Sequence, residues 1–573
     1  MAVFERFIPS RRPARVGVAL MLSAALLAGC SQEGDSEPST EAGPPPNTAY
    51  FGYQVASRLV TTNAASAFGT ASNAHVLSTR LYPAAFVAGP DGQLIPNTDL
   101  VATQEIERTP EDQRQIRYTI SDKARYSDGE PVVCDDFLLS YTAGSMPPTF
   151  GSHLPLMNDI HDLQCEPGSK QFTVVLKQGK GDRWRYMFGA GTVLPSHVIA
   201  RKVGMTAEEL AGTLRSWDSQ QLEGIAELWR FGFSLGEFDP EMQVSYGPFV
   251  IDHVGSAGEV VLKRNGSYYG DPAELDTLVV WPKSADATHL VETGALRVAD
   301  STEGTPRWVK DVPRAGVYEV SSVVGDLTDT LLLAEDGIFA NPYARQAFAA
   351  CVDQQELANV SSIESGTQVP AVYIHALRHT DPIGKQLESV TEPHRSVNLQ
   401  QAGALRGTTV KVGYLGPDRR YAAMVESLRK SCEPAGITVE DASSDFMSAT
   451  YLEVSENTGA PTIDAFLGAV DPLTEYATVE ARIDKVEDLK KAEEQLWKDI
   501  PTIPIAAQPR TFIIDPGVDN VVPYSGLSGM SWNMDRWLAE GPLAPAPESA
   551  AETTSSTAAG KGNAGPQESK ARM

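Results

Sequence analysis

Few stretches of this chain place nucleophiles, general bases or metal ligands at spacings that chemistry could use. Gly232-Phe233-Ser234-Leu235-Gly236 has the spacing of a nucleophile elbow, in which a strained strand-to-helix turn exposes a serine hydroxyl to a carbonyl. Here helical spacing precedes the motif, and Glu237-Phe238-Asp239-Pro240 after it reads as loop, so that turn is not expected. His375 and His379 stand four apart, like two metal ligands on one helical face. No Glu lies between them to act as a base, and Asp381-Pro382 signals a loop, so they read as two surface histidines. Gly189-Ala190-Gly191 lacks the third glycine and the helix of a dinucleotide site. No catalytic residue, metal or cofactor is assigned, and the chain reads as a non-enzyme.

Cys30 has a definite chemistry. It follows Leu27-Ala28-Gly29, behind a basic stretch (Arg11, Arg12, Arg15) and an apolar one from Val16 to Leu27. That order is the layout of a secretory signal, and a Cys directly after Leu-Ala-Gly resembles a bacterial lipobox. The thiol would take a diacylglycerol, and residues 1–29 would be removed as a lipoprotein signal peptide. Each buried CH₂ contributes about 0.8 kcal/mol, so two or three acyl chains hold a domain on a membrane almost irreversibly. The apolar run is shorter than the ~20 residues that span a bilayer. The expected location is the extracytoplasmic face of the cell membrane, with the lipid as the only membrane contact.

Residues 30–47 are rich in Ser, Glu, Gly and Pro and cannot bury enough apolar surface to fold, so they read as a disordered tether. Residues 541–573 read as a disordered Pro/Ala/Ser tail. The roughly 490 residues between them are too many for one core and suggest two or three lobes. The formal net charge is −27, which repels phosphate backbones and argues against nucleic-acid binding. Besides Cys30 there are four cysteines, an even number that favours disulfides in an exported chain. Of the three possible connectivities, spacing favours Cys134 with Cys165 and Cys351 with Cys432, each pair inside one expected lobe. No Cys-x-x-Cys supports a zinc site.

The elements that would position a site follow an α/β order. Arg114–Ile120 and Gln171–Lys177 read as strands, and Asp135 or Asp136 can cap a helix carrying Phe137, Leu138 and Tyr141. Ala207–Arg230 reads as one helix, and Val244–Asp252 with Glu259–Arg264 as a strand pair. Thr330–Leu333 reads as a short apolar strand, and Asn341-Pro342 as a helix start carrying Tyr343, Ala347, Phe348 and Cys351 on one face. Thr408–Leu415, Arg420–Glu433 and Ile437–Val439 form a strand–helix–strand unit. Lys485–Asp499 reads as a charged helix before the strand Ile503–Ile514.

The ordered set of segments resembles a family. Its strongest piece is Gln115 to Tyr141, with the turn Tyr126-Ser127-Asp128-Gly129-Glu130-Pro131 followed by Asp135-Asp136. Gly89-Pro90-Asp91-Gly92, Leu194-Pro195-Ser196-His197-Val198, Tyr246-Gly247-Pro248-Phe249, Arg264-Asn265-Gly266-Ser267-Tyr268-Tyr269 and Arg345-Gln346-Ala347 with Val352-Asp353 keep the same order. They resemble the extracellular solute-binding proteins of family 5, the oligopeptide- and dipeptide-binding lipoproteins of bacterial ABC importers, of actinobacterial type. The resemblance implies a periplasmic-binding-protein type II clamp: two lobes from three domains around a hinged ligand cleft. Lobe I would be residues 48–78, 190–283 and 502–540, domain II the insertion 79–189, and lobe III residues 284–501. It implies a monomer that captures peptides or similar polar solutes and delivers them to permease subunits.

The resemblance points to Asn63, Tyr82, Tyr246, Gly247, Asp471, Trp532 and Asn533 as ligand-binding candidates. Relatives hold a ligand amine with an Asp three residues before the place of Asp471, where this chain has Gly468. Asp471 either substitutes or serves only to start a turn, as Asp-Pro commonly does. The other reading is a non-transport envelope or signalling lipoprotein that uses the same clamp to bind a partner or glycolipid.

Overall fold

Two long antiparallel strands, Glu319–Leu333 and Thr502–Ile514, form the spine of the molecule. The computed structural model describes residues 50–90, 92–455 and 458–539. The signal, Cys30, the tether, Asp91 and the tail lie outside the described residues. Around the spine runs a ten-stranded sheet. From one edge its strands are Thr438–Asp441, Thr409–Gly413, Ala465–Val470, Glu319–Leu333, Thr502–Ile514, Val298–Ser301, Phe51–Gln54, Thr277–Trp281, Val260–Arg264 and Phe249–Val254. Parallel pairs occur near both ends, as α/β crossovers require, and the last three strands are antiparallel. A separate four-stranded antiparallel sheet is built in the order Val101–Ile106, Gln115–Ile120, Gln171–Leu176, Ile160–Cys165.

Several element boundaries differ from the sequence expectation, each for a visible reason. Only the apolar end of Glu319–Leu333 was legible, because its first half mixes Val with Glu, Ser and Gly, is largely exposed and is held by ladder bonds to Thr502–Ile514. The region 207–230 is two helices, Ala207–Leu214 and Ser219–Phe231, split where Trp217 takes a φ of 55°. Thr206 with Glu209 and Asp218 cap their starts. Asn341 caps Pro342–Ala349 as expected, but Tyr343 points to solvent at 77% exposure. His375 is a correction: it is buried, not superficial. Its Nδ1 lies 2.7 Å from Glu493 Oε1 and its Nε2 faces the Thr502 carbonyl at 3.1 Å.

The segments that carried the resemblance meet at one junction. Gly129, at φ 95°, closes the Tyr126–Pro131 turn. Asp128 of that turn contacts His197 Nε2 at 3.0 Å, and the Ser127 amide donates to the Ser245 carbonyl. Buried Asp136 accepts from the Val133 amide and from both the amide and hydroxyl of Ser196. Asn265 donates to the Gly247 carbonyl at 2.8 Å. These polar groups satisfy one another, so the junction holds these elements in place. Beside it, Tyr118 stacks on Phe172 at 4.7 Å, and Phe137 packs on Phe172 and Phe188.

Two disulfides, Cys134–Cys165 and Cys351–Cys432, staple the ends of helices to neighbouring elements across sequence separations of 31 and 81. Loop closure on that scale stabilises by at most about 3.5 and 4.5 kcal/mol. Non-reducing peptide mapping is expected to recover these two pairs. A Cys134–Cys351 link, or free thiols at these positions, would contradict the assignment.

Candidate functional site

Two adjoining cavities of about 130 Å³ each open where segments distant in sequence face one another. They share Thr70, His153, Ala469, Val470 and Leu527, so they form one continuous cleft. One wall is the strand Ala465–Val470 and the turn after it, where Asp471 accepts from the Leu473 amide and starts the short helix Pro472–Glu475. The opposite wall of the first cavity comes from 84–94 and 153–192 and is mostly apolar: Phe86, Leu154, Met157, Met187 and Phe188. The second cavity is more charged, lined by Arg58, Lys283, Asp300, Asp418, Arg420 and Arg510.

The charges come in pairs. Arg378 grips Asp471 with two bonds, Nε to Oδ1 at 3.2 Å and Nη2 to Oδ2 at 2.6 Å, a bidentate fork. Burial pushes the Arg378 guanidinium down, but the Asp471 carboxylate more than offsets this and holds it above its ordinary range. His153 Nε2 meets Glu475 Oε2 at 2.7 Å across the cleft. Burial lowers the His153 pKa, yet the Glu475 carboxylate raises it further, for a net upward shift. His75 lacks such a partner, and burial takes it down to about 4, so it is neutral at pH 7. Asp300 pairs with Arg510 at 2.7 Å and also accepts from the Tyr53 hydroxyl. Lys283 sits 3.0 Å from Glu303 and 3.5 Å from Asp418.

Arg183 ties the two walls together without a carboxylate. It is 2% exposed, and its guanidinium donates to the carbonyls of Pro472 (2.6 Å), Tyr476 (3.0 Å), Ala376 and Val479. Burial lowers its pKa to about 10, so it stays charged at neutral pH. Arg58 with Asp445, Arg185 with Glu480 and Lys485 with Asp182 add weaker ion pairs across the same gap.

Of the residues singled out from sequence, Asp471 lines the cleft. The other six are placed elsewhere. Asn63 is buried, donates to the Trp229 carbonyl and accepts from the Ala65 and Ser66 amides. Tyr82 and Tyr246 pack on each other in the core, and the Tyr246 hydroxyl donates to the Pro83 carbonyl. Gly247 admits no side chain, since a Cβ there would lie 2.2 Å from the Arg80 carbonyl oxygen. Trp532 donates to the Val522 carbonyl, and Asn533 donates to that of Asn520 and accepts from Trp537. Sequence reading passed over His153, Arg183, Arg378, Asp300 and Arg510. The available signal was a charge set in an apolar strand, as at Asp300 and Arg510.

Known proteins match this sequence and fold. A family model described as "Bacterial extracellular solute-binding proteins, family 5 Middle" matches residues 100–467. An uncharacterized lipoprotein of Mycobacterium tuberculosis is 28% identical, with 91% of this chain and 96% of that protein covered. Among solved structures, the oligopeptide-binding protein AppA of Bacillus subtilis in complex with a nonapeptide superposes with a TM-score of 0.61 at 12% identity, covering 86% of this chain and 99% of that one. The binding protein AgaA of A. tumefaciens R10 with agropinic acid gives 0.61 at 14% identity, covering 86% and 98%. The fold is thus the type II periplasmic-binding-protein fold. No helix of the described residues is long and apolar enough to cross a membrane.

Proposed function

This chain belongs to the bacterial extracellular solute-binding proteins, family 5, and we propose that it is the lipid-anchored receptor of an ABC importer, capturing peptides or similar polar solutes. The observation that carries this reading is the cleft itself: two connected cavities between walls that touch through ion pairs and the Arg183 bonds. Such walls can part and close about a hinge. Ligand trapped between them is removed from water, and its main chain can bond to exposed strand edges without demanding a sequence. The lobes are residues 48–78 with 190–283 and 502–540, and 284–501, with 79–189 inserted. Cys30 carries the anchor, and the closed, monomeric clamp presents its cargo to permease subunits. A protein with a nonapeptide and another with agropinic acid share the fold, which is why the ligand class is kept to peptides and similar polar solutes.

A ligand that binds only the closed form must both compact and stabilise the protein. With a peptide pool at a hundredfold excess over the dissociation constant, stability should rise by about 2.7 kcal/mol and the scattering radius should fall. Cys30→Ala should move the protein from the membrane to the soluble fraction or block its processing. A protein that neither compacts nor melts higher with any peptide pool would favour the non-transport envelope lipoprotein instead.

A further inference from the structure

The charges of the cleft leave little room for a ligand's own charge. Each carboxylate, lysine and arginine that lines either cavity already faces a partner: Asp471 with Arg378, Arg185 with Glu480, Arg58 with Asp445, Lys283 with Asp418, Arg420 with Asp329 and Asp300 with Arg510 as ion pairs, and Glu475 with the His153 ring, 2.7 Å away. We infer that this cleft takes its ligand without an ammonium anchor: the substrate is an amine-blocked peptide chain that seats an apolar side chain against Phe86, Met157, Met187 and Phe188. This deepens the peptide-receptor reading above and rests on it.

Three observations carry the inference. First, Asp471 lines the cavity at the end of the wall strand, and both its oxygens are engaged. Oδ1 accepts from Arg378 Nε and the Leu473 amide, and Oδ2 accepts from Arg378 Nη2. An incoming ammonium would have to displace a bidentate guanidinium, the geometry in which Arg outcompetes a point charge. Of the carboxylates, Arg378 would then keep Asp326, 3.7 Å away. Second, position 468 has no space for a substitute anchor. A Cβ on Gly468 would lie 2.8 Å from the ring of Phe466, a buried side chain lining the same cavity. Third, the first cavity is walled mainly by apolar side chains, and its volume of about 130 Å³ is close to that of engineered apolar cavities that hold a benzene ring. An ion placed there without a partner would be strongly disfavoured. A neutral ligand has something to bond there. His75 lines the cavity, and its Nδ1 is buried with no hydrogen-bond partner among the described residues, which suits an amide or carbonyl.

The test uses the mature lipoprotein in detergent and two probes, the pentapeptide amide Ala-Phe-Ala-Leu-Ala with a free amine and the same peptide N-acetylated. Calorimetric titration at pH 7 is expected to show the acetylated form binding at least tenfold more tightly. Equal or tighter binding of the free amine overturns the inference and leaves the peptide-receptor reading standing. Binding of neither peptide, with no change in melting, overturns that reading and the inference with it. In Asp471→Asn, the ratio of the two affinities should stay the same, because the side chain serves Arg378. Selective loss of the free-amine peptide would show an anchor after all. Ala190→Phe, at a half-buried lining position, should weaken the acetylated Phe peptide more than tenfold and weaken acetylated Ala-Ala-Ala-Ala-Ala far less. Unchanged binding of the Phe peptide would remove the apolar seat.

Discussion

Asp329→Ala is expected to destabilise the protein by about 3 to 5 kcal/mol, because it strands a buried guanidinium. Asp329 lies in the strand Glu319–Leu333 and is fully buried, and Arg420, near the start of the helix Arg419–Cys432, is 1% exposed. The Arg420 guanidinium bonds both Asp329 oxygens, Tyr421 donates its hydroxyl to Oδ1 at 2.9 Å, and Ser361 Oγ accepts from Arg420 at 3.1 Å. Burial alone pushes the Arg420 pKa down, and the adjacent carboxylate reverses that. Removing the carboxylate leaves burial opposed only by the weaker influence of Tyr421 and Asp418. Equilibrium denaturation should report the loss as a lower midpoint. The double variant Asp329→Leu with Arg420→Met should regain most of it, since an apolar pair of similar volume often replaces a buried ion pair without cost. If the double variant were as unstable as Asp329→Ala, packing rather than a stranded charge would be the cause.

Arg183→Met should weaken the contact between the cleft walls by about 3 kcal/mol, taking hydrogen bonds to a charged donor as worth about 1.5 to 3 kcal/mol each and letting water recover part of the loss. The four carbonyls that Arg183 faces lie on 376–479, whereas Arg183 follows the strand Gln171–Leu176 of the small sheet. Apparent ligand affinity falls with the fraction of protein in the binding-competent state. At about 1.4 kcal/mol per tenfold, the expected loss is roughly a hundredfold. Faster ligand release and a larger scattering radius should accompany it. Unchanged affinity would mean that the Arg183 bonds do not contribute to closure.

Much of the architecture was legible in the chain because its signals are local. Periodicity, Asn341-Pro342 and the strand–helix–strand order around 408–439 are set by residues within a few positions of one another, and the helix Arg419–Cys432 and strand Thr438–Asp441 follow them. The ordered motifs were legible for the same reason and identified the family, but their polar groups are spent on one another at the junction of Asp128, His197, Asp136, Ser196 and Asn265. Their place in the family pattern therefore said where elements go. The cleft was decided by tertiary structure. His153 meets Glu475 across 322 residues and Arg183 meets Pro472 across 289, separations at which sequence carries no pattern. Asp471 shows the division within one residue. Its Asp-Pro step announced a helix start, which the Leu473 amide bond realises locally, whereas its commitment to Arg378, 93 residues away, exists only because the fold brings the guanidinium to it.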